Sequence, residues 1–213
     1  MNEYAKMSKL KYLFYIMIHP VDGYQEMKYN KKGSVAMATF IVLLWYSSTV
    51  VKHQLTDFTF NPYRPDKLNL LMIALSTIVI FATAVICNWC FSTLMDGEGA
   101  LKDIWTAVSY ALLPTIAVNF ITTFLSKFMV AEEEVFLQYI TVIGIIWSAI
   151  LAFTALSVIH DFSFIKTFNL ILLTFLGMLI VLFLFILVYS LFQQVVMFVR
   201  TIYYEILYRL ATY

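Results

Sequence analysis

Five long stretches of this chain contain no Asp, Glu, Lys or Arg: residues 33–51, 68–95, 104–126, 135–160 and 167–199. A helix rises about 1.5 Å per residue, so roughly 20 apolar residues cross the ~30 Å hydrocarbon core of a bilayer. In lipid, backbone N–H and C=O groups must be satisfied within the structure, which leaves helices or closed barrels. The stretches are continuously apolar and lack the alternation of barrel strands. The chain therefore reads as all-α, a polytopic membrane protein with five transmembrane helices and amphipathic segments at both termini. Its parts are a lead over residues 1–32, a transmembrane domain over 33–199 and a tail over 200–213. The hydrophobic share of 62% exceeds the roughly 45–50% of soluble domains, because lipid-facing surface is apolar too.

Net charge is +1, so no overall field attracts nucleic acid. Positive charge is nonetheless concentrated before the first stretch, at Lys6, Lys9, Lys11, Lys28, Lys31 and Lys32. Positive residues beside the first span orient it, which predicts a cytoplasmic N-terminus and, after five spans, an external C-terminus. The short apolar run from Tyr12 to Ile18 ends at His19-Pro20 without a small-residue cleavage site. It does not read as a cleavable signal, and the first span serves as a retained anchor.

In the lead, Leu10, Leu13, Phe14, Met17 and Ile18 share a helical face, which predicts a short helix lying in the interface. His19-Pro20-Val21-Asp22-Gly23 is expected to end it in a turn, and Ser34 to cap the first span. The loop 52–67, with Pro62 and Pro65, is expected to fold back onto the interface, whereas the connections at 96–100 and 160–168 are short. Short connections make successive helices antiparallel neighbours. Pro114 should kink the third span. The fifth stretch would be roughly 50 Å long as one helix, so it must bend or protrude, with the bend expected near Gln193-Gln194. Beyond it, Val199, Ile202, Tyr203, Ile206, Leu207 and Leu210 form an apolar stripe, and Glu205 lies one turn from Arg209.

Polar groups within spans are where function usually lies. No charge occurs there, which argues against proton relays and charged gates. Asn88 and Asn119 are candidates for bonds between helices or for a polar substrate site. Cys87 and Cys90 form a CxxC, read as small apolar side chains one turn apart, with a redox pair as the alternative. Asp96, Glu98, Asp103, His160 and Asp161 fall on one side of the membrane. A histidine with carboxylates can bind metal or move protons, but these positions also suit helix caps and solvated loops. No cofactor motif accompanies them, and Gly97-Glu98-Gly99 lacks the context of a phosphate cradle.

In order along the chain, Asp96-Gly97-Glu98-Gly99 is followed by Tyr110-Ala111-Leu112-Leu113-Pro114. This order resembles the Yip family, the Ypt/Rab-interacting membrane proteins. The lead from His19-Pro20 to Gly33-Ser34, Asn88-Trp89, His160-Asp161-Phe162-Ser163, and Gln193-Gln194 with Glu205 and Arg209 are similar to its bacterial branch. The resemblance covers essentially the whole chain. It implies five helices, a cytoplasmic N-terminus and no established catalytic activity, and no Rab-binding site carries over from the eukaryotic members, whose long acidic N-domain has no counterpart in this sequence.

The sequence expectation is thus a non-enzymatic scaffold or accessory protein of the cell membrane. It would contact lipids and other membrane proteins, among them a sugar-import permease of a carbohydrate ABC importer, with no cofactor. The alternatives are a small-solute transporter, and an enzyme using His160 with neighbouring carboxylates. The residues marked as a functional edge or packing motif are Asn88, Trp89, Asp96, Gly97, Glu98, Gly99, Tyr110, Pro114, His160 and Asp161.

Overall fold

The computed structural model describes residues 9–61 and 68–211. Among them the chain is helical throughout, with no strand. The elements are α1 (Lys9–Ile18), α2 (Pro20–Asn30), α3 (Val35–Leu55), α4 (Leu70–Ala74), α5 (Ile80–Leu94), α6 (Leu101–Tyr110), α7 (Leu113–Leu125), α8 (Glu134–His160) and α9 (Phe164–Ala211). Five segments are long and apolar enough to cross a membrane: Val35–Leu55, Leu70–Leu94, Leu101–Leu125, Ala131–His160 and Phe164–Leu210. They match the five uncharged stretches, because continuous apolarity at this length has no other stable outcome in lipid.

Two spans are not simple helices. The second holds a π turn at Leu75–Val79, whose buried Thr77 hydroxyl donates to the Ile73 carbonyl at 2.7 Å. The third divides into α6 and α7 with Pro114 in the first turn of α7, so the expected kink is a break. Proline is well placed there, since the first turn of a helix has no use for its missing N–H. Polar side chains tie the spans together deep in the bundle. The Asn119 amide donates to the Ser48 hydroxyl at 3.2 Å, and the Thr115 and Ser148 hydroxyls are 2.8 Å apart.

The lead differs from the expected interfacial helix. Pro20 ends α1 but also opens α2, so Asp22-Gly23 lies within a helix rather than a turn. The two helices form a hairpin: the Tyr12 hydroxyl donates to the Gly23 carbonyl at 2.8 Å, and a Cβ at Gly23 would meet the Ile16 side chain at 2.7 Å. Tyr12 and Ile16 are buried, whereas Phe14 and Ile18 of the expected stripe are exposed. The hairpin leans along the bundle, with Trp147 Nε1 donating to the Met17 carbonyl at 3.2 Å. Trp147 lies about 20 Å along α8 from His160, so the tip of the lead reaches well below the end of that helix. Tertiary contact with α8 outweighs the local amphipathic pattern.

The long fifth stretch protrudes instead of bending. α9 runs unbroken for 48 residues through Gln193-Gln194, roughly 72 Å. No glycine or proline follows Gly177, and Gln193 is held helically by its amide donating to the Tyr189 hydroxyl at 2.7 Å. α9 packs on α5 and α8 as far as Met178; every described side chain from Leu179 onward is exposed. Glu205 and Arg209 do pair, at 2.6 Å. The loop turn at Asp57–Phe60 is described, but residues 62–67, with both prolines of the expected interfacial loop, lie outside the described residues.

Candidate functional site

The ends of α5 and α8 meet at the edge of the bundle that carries the lead. Both finish in the same way. Asp96 and Asp161 take left-handed backbone conformations, φ 61° and 57°. Behind them, the Gly97 N–H donates to the Ser92 carbonyl at 2.8 Å and the Phe162 N–H to the Ser157 carbonyl at 3.0 Å. These are Schellman closures with aspartate where glycine is commoner. Both aspartate side chains are exposed, so at these positions the residue acts through its backbone.

The glycines that follow Asp96 serve a different purpose. A Cβ on Gly97 would lie 2.8 Å from His160 Nδ1, and one on Gly99 would lie 2.7 Å from His160 Cε1. Neither glycine has positive φ. The 97–99 loop therefore lies against the imidazole, which is 1% exposed and stacks on the Phe162 ring at 5.5 Å.

Hydrogen bonds under the loop fix its proton positions. The Thr174 hydroxyl donates to the Leu170 carbonyl at 2.8 Å, so towards Asn88 it can only accept. The Asn88 amide nitrogen donates to it at 3.1 Å, which turns Asn88 Oδ1 to His160 Nε2 at 3.2 Å. Nε2 must then carry the proton, leaving Nδ1 as a bare acceptor, buried and without a partner. Three spans, those containing α5, α8 and α9, are joined by this chain of polar groups.

Outside the loop, Glu98 reaches α2. Its carboxylate pairs with Lys28 Nζ at 2.8 Å, and this hydrogen bond and charge hold the Glu98 carboxyl below its ordinary range. Tyr110 is buried; it accepts a hydrogen bond from the Ser34 backbone N–H and meets the Tyr12 ring edge-on at 6.3 Å. Ser34 does begin α3, but its side chain makes no capping bond.

Of the ten residues expected to form an edge, Asn88, Gly97, Glu98, Gly99 and His160 are thus brought together, with Asp96 and Asp161 shaping the backbone. Tyr110 anchors the lead nearby. Pro114 lies further along the third span, and Trp89 is 40% exposed on the outside of α5. Sequence reasoning missed Thr174 and Lys28. A threonine in an apolar span satisfies itself on its own helix as a rule, and one lysine among six carries no mark of its partner. His160 is turned inward to Asn88, away from the carboxylates. Among the described residues no three His, Cys, Asp or Glu side chains are close enough to hold a metal ion. Cys87 and Cys90 are free thiols, the first buried and the second exposed.

Five apolar spans joined by polar side-chain contacts define a polytopic helical membrane protein. The Yip1 domain family matches residues 14–208. The chain belongs to that family, as the motif order suggested. No curated protein and no solved structure matches it.

Proposed function

We propose that this Yip-family membrane protein is a non-enzymatic scaffold that organises partner proteins within a cell membrane. One observation carries the reading: α9 extends some 40 Å past a hydrocarbon core, and every described side chain of its outer half is exposed. Apolar surface of that extent is costly in water and is stabilised by lipid or by another protein. Asn88, His160 and Thr174 inside the bundle are engaged with one another, which supports packing over transport. The burial of His160 likewise speaks for support of the loop rather than acid–base chemistry on a substrate.

The partner class proposed from the bacterial resemblance is a sugar-import permease of an ABC importer. The lysines of the lead support a cytoplasmic N-terminus, which places the C-terminal end of α9 outside. Affinity purification in mild detergent with mass spectrometry tests the reading. A co-purified membrane protein that is lost when α9 is cut after Met178 supports it. Flux of a defined solute by the pure protein in proteoliposomes overturns it in favour of a transporter.

A further inference from the structure

The edge of the bundle that holds the 97–99 loop also contains a cleft of about 470 Å³. Sites for small molecules run from roughly 300 to 1,000 Å³, so a phosphate with a glycerol or sugar attached fits this space. Three lysines line it, Lys28 and Lys31 from the lead and Lys102 from α6, against two carboxylates, Glu98 and Asp103.

The charges are not equally available. Lys28 is committed to Glu98 at 2.8 Å. Nearby, Lys32 pairs with Glu26 at 3.2 Å. Lys31 and Lys102 are exposed, and no ion pair to a described carboxylate engages either one. Lys31 is set at the mouth by its left-handed backbone, φ 50°, where α2 ends. Asp103 occupies the first turn of α6, where a carboxylate is drawn to the helix's own positive end.

Two helices also begin at this cleft. Gly33 and Val35 line it from the start of α3, and Gly99 and Ala100 from the start of α6. Neither Ser34 nor Ala100 caps its helix with a side chain, so backbone N–H groups remain open there. Each such end acts as about half a positive charge. Two ammonium groups outside any described ion pair and the uncapped start of α3 therefore surround one hollow, with Asp103 offsetting the start of α6, at the level where the first span enters the bilayer. Polar headgroups lie at that level.

We propose that this cleft binds a phosphate ester, its anionic oxygens received by Lys31, Lys102 and the uncapped backbone N–H groups at the start of α3. The phosphate belongs either to an anionic lipid headgroup or to a soluble ester, and one experiment separates the two. The full chain is placed in phosphatidylcholine nanodiscs with and without phosphatidic acid, and retained anionic lipid is counted by native mass spectrometry. In parallel, equilibrium dialysis against labelled glycerol 3-phosphate is run in pure phosphatidylcholine nanodiscs.

Retention in the first arm identifies a headgroup, and binding in the second identifies a soluble ester. In the responding arm, the K31Q/K102Q double variant should bind about tenfold less or weaker still. K127Q, which removes one charge at the other end of the bundle, should bind as the wild type does. Unchanged thermal unfolding of K31Q/K102Q separates lost binding from lost folding, and the single variants K31Q and K102Q replace it if it unfolds. The proposal is overturned if neither probe binds the wild type, if the lysine variants bind as well, or if K127Q loses as much.

Discussion

Gly99 and His160 are in a contact that leaves no room for a side chain: a Cβ at Gly99 would sit 2.7 Å from His160 Cε1 and 2.7 Å from Ile159 Cγ2. The loop after α5 can lie flat on the end of α8 only because this position has no Cβ. Gly99→Ala should therefore destabilise the protein by about 1–3 kcal/mol, read as a lowered unfolding midpoint in detergent. Removing the imidazole relieves one of the two close contacts, so Gly99→Ala with His160→Ala should cost less than the two single variants together. A coupling of about 0.5 kcal/mol or more is expected for groups in contact, and additivity would refute it.

Replacing Asn88 by Leu breaks both bonds of the His160–Asn88–Thr174 chain. The expected loss is about 1–2 kcal/mol, the upper part of the range for polar contacts between spanning helices, because the buried Nε2–H of His160 is left without an acceptor. Thr174→Val breaks only one of the two bonds between spans, besides the hydroxyl's bond to the Leu170 carbonyl of its own helix, and should cost less, about 0.6 kcal/mol. Equal effects from the two variants would contradict the order of donors and acceptors deduced for this chain. Comparative thermal unfolding decides it.

Protonation should loosen the lead from the loop. Lys28 lowers the Glu98 carboxyl in the folded state, so the contribution of this pair is present above the ordinary carboxylate range. It is lost as pH falls through the lowered value. Hydrogen exchange of α2 should rise in that acidic window for the wild type. Glu98→Gln should already show the faster exchange at neutral pH, and an unchanged profile would show that the pair does not hold the hairpin.

The hold on α9 is local. A Cβ at Gly177 would collide with the Phe91 ring of α5, and contact with the bundle ends one residue later. Gly177→Leu should push α9 away from α5 without altering helix content. With Phe91 kept and Cys87 and Cys90 replaced by alanine, cysteines at Asn88 of α5 and Thr174 of α9, whose side chains touch at 3.1 Å, should crosslink in the parent and lose that crosslink in the leucine variant. Circular dichroism should stay the same in both.

Five spans put the two ends of the chain on opposite sides. With Cys87 and Cys90 replaced by alanine, single cysteines at Gln25 and Tyr208 should react with an impermeant maleimide from opposite faces of sealed vesicles. Labelling of both from one side would break the five-span arrangement.

The spans were legible because lipid imposes one rule everywhere: a charge-free apolar run of this length must be a helix. The break at Pro114 was half legible. Proline marks the place, but whether a helix bends or restarts depends on the neighbours that take up its free backbone groups. The fate of the lead was not legible. Its exposed stripe of Phe14 and Ile18 satisfies the same periodicity as its buried Tyr12 and Ile16, and only packing on Gly23 of α2 and on Tyr110 of the bundle chooses between them. Gln193-Gln194 looked like an interruption, yet glutamine is compatible with a helix, and the chain offers α9 no surface to fold back on.

The amino-acid sequence on its own determined the all-α class, the count of membrane spans and the motif order that marks the family, because these depend on residue type and spacing along one dimension. Only the tertiary structure decided what the motifs are for. It showed that Asp96 and Asp161 bend backbone, that Gly97 and Gly99 make room for His160, and that Asn88 joins His160 to Thr174, 86 residues further on. Close approach, donor direction and an ion pair across 70 residues, as between Lys28 and Glu98, are properties of positions in space. No pattern along the chain encodes them directly.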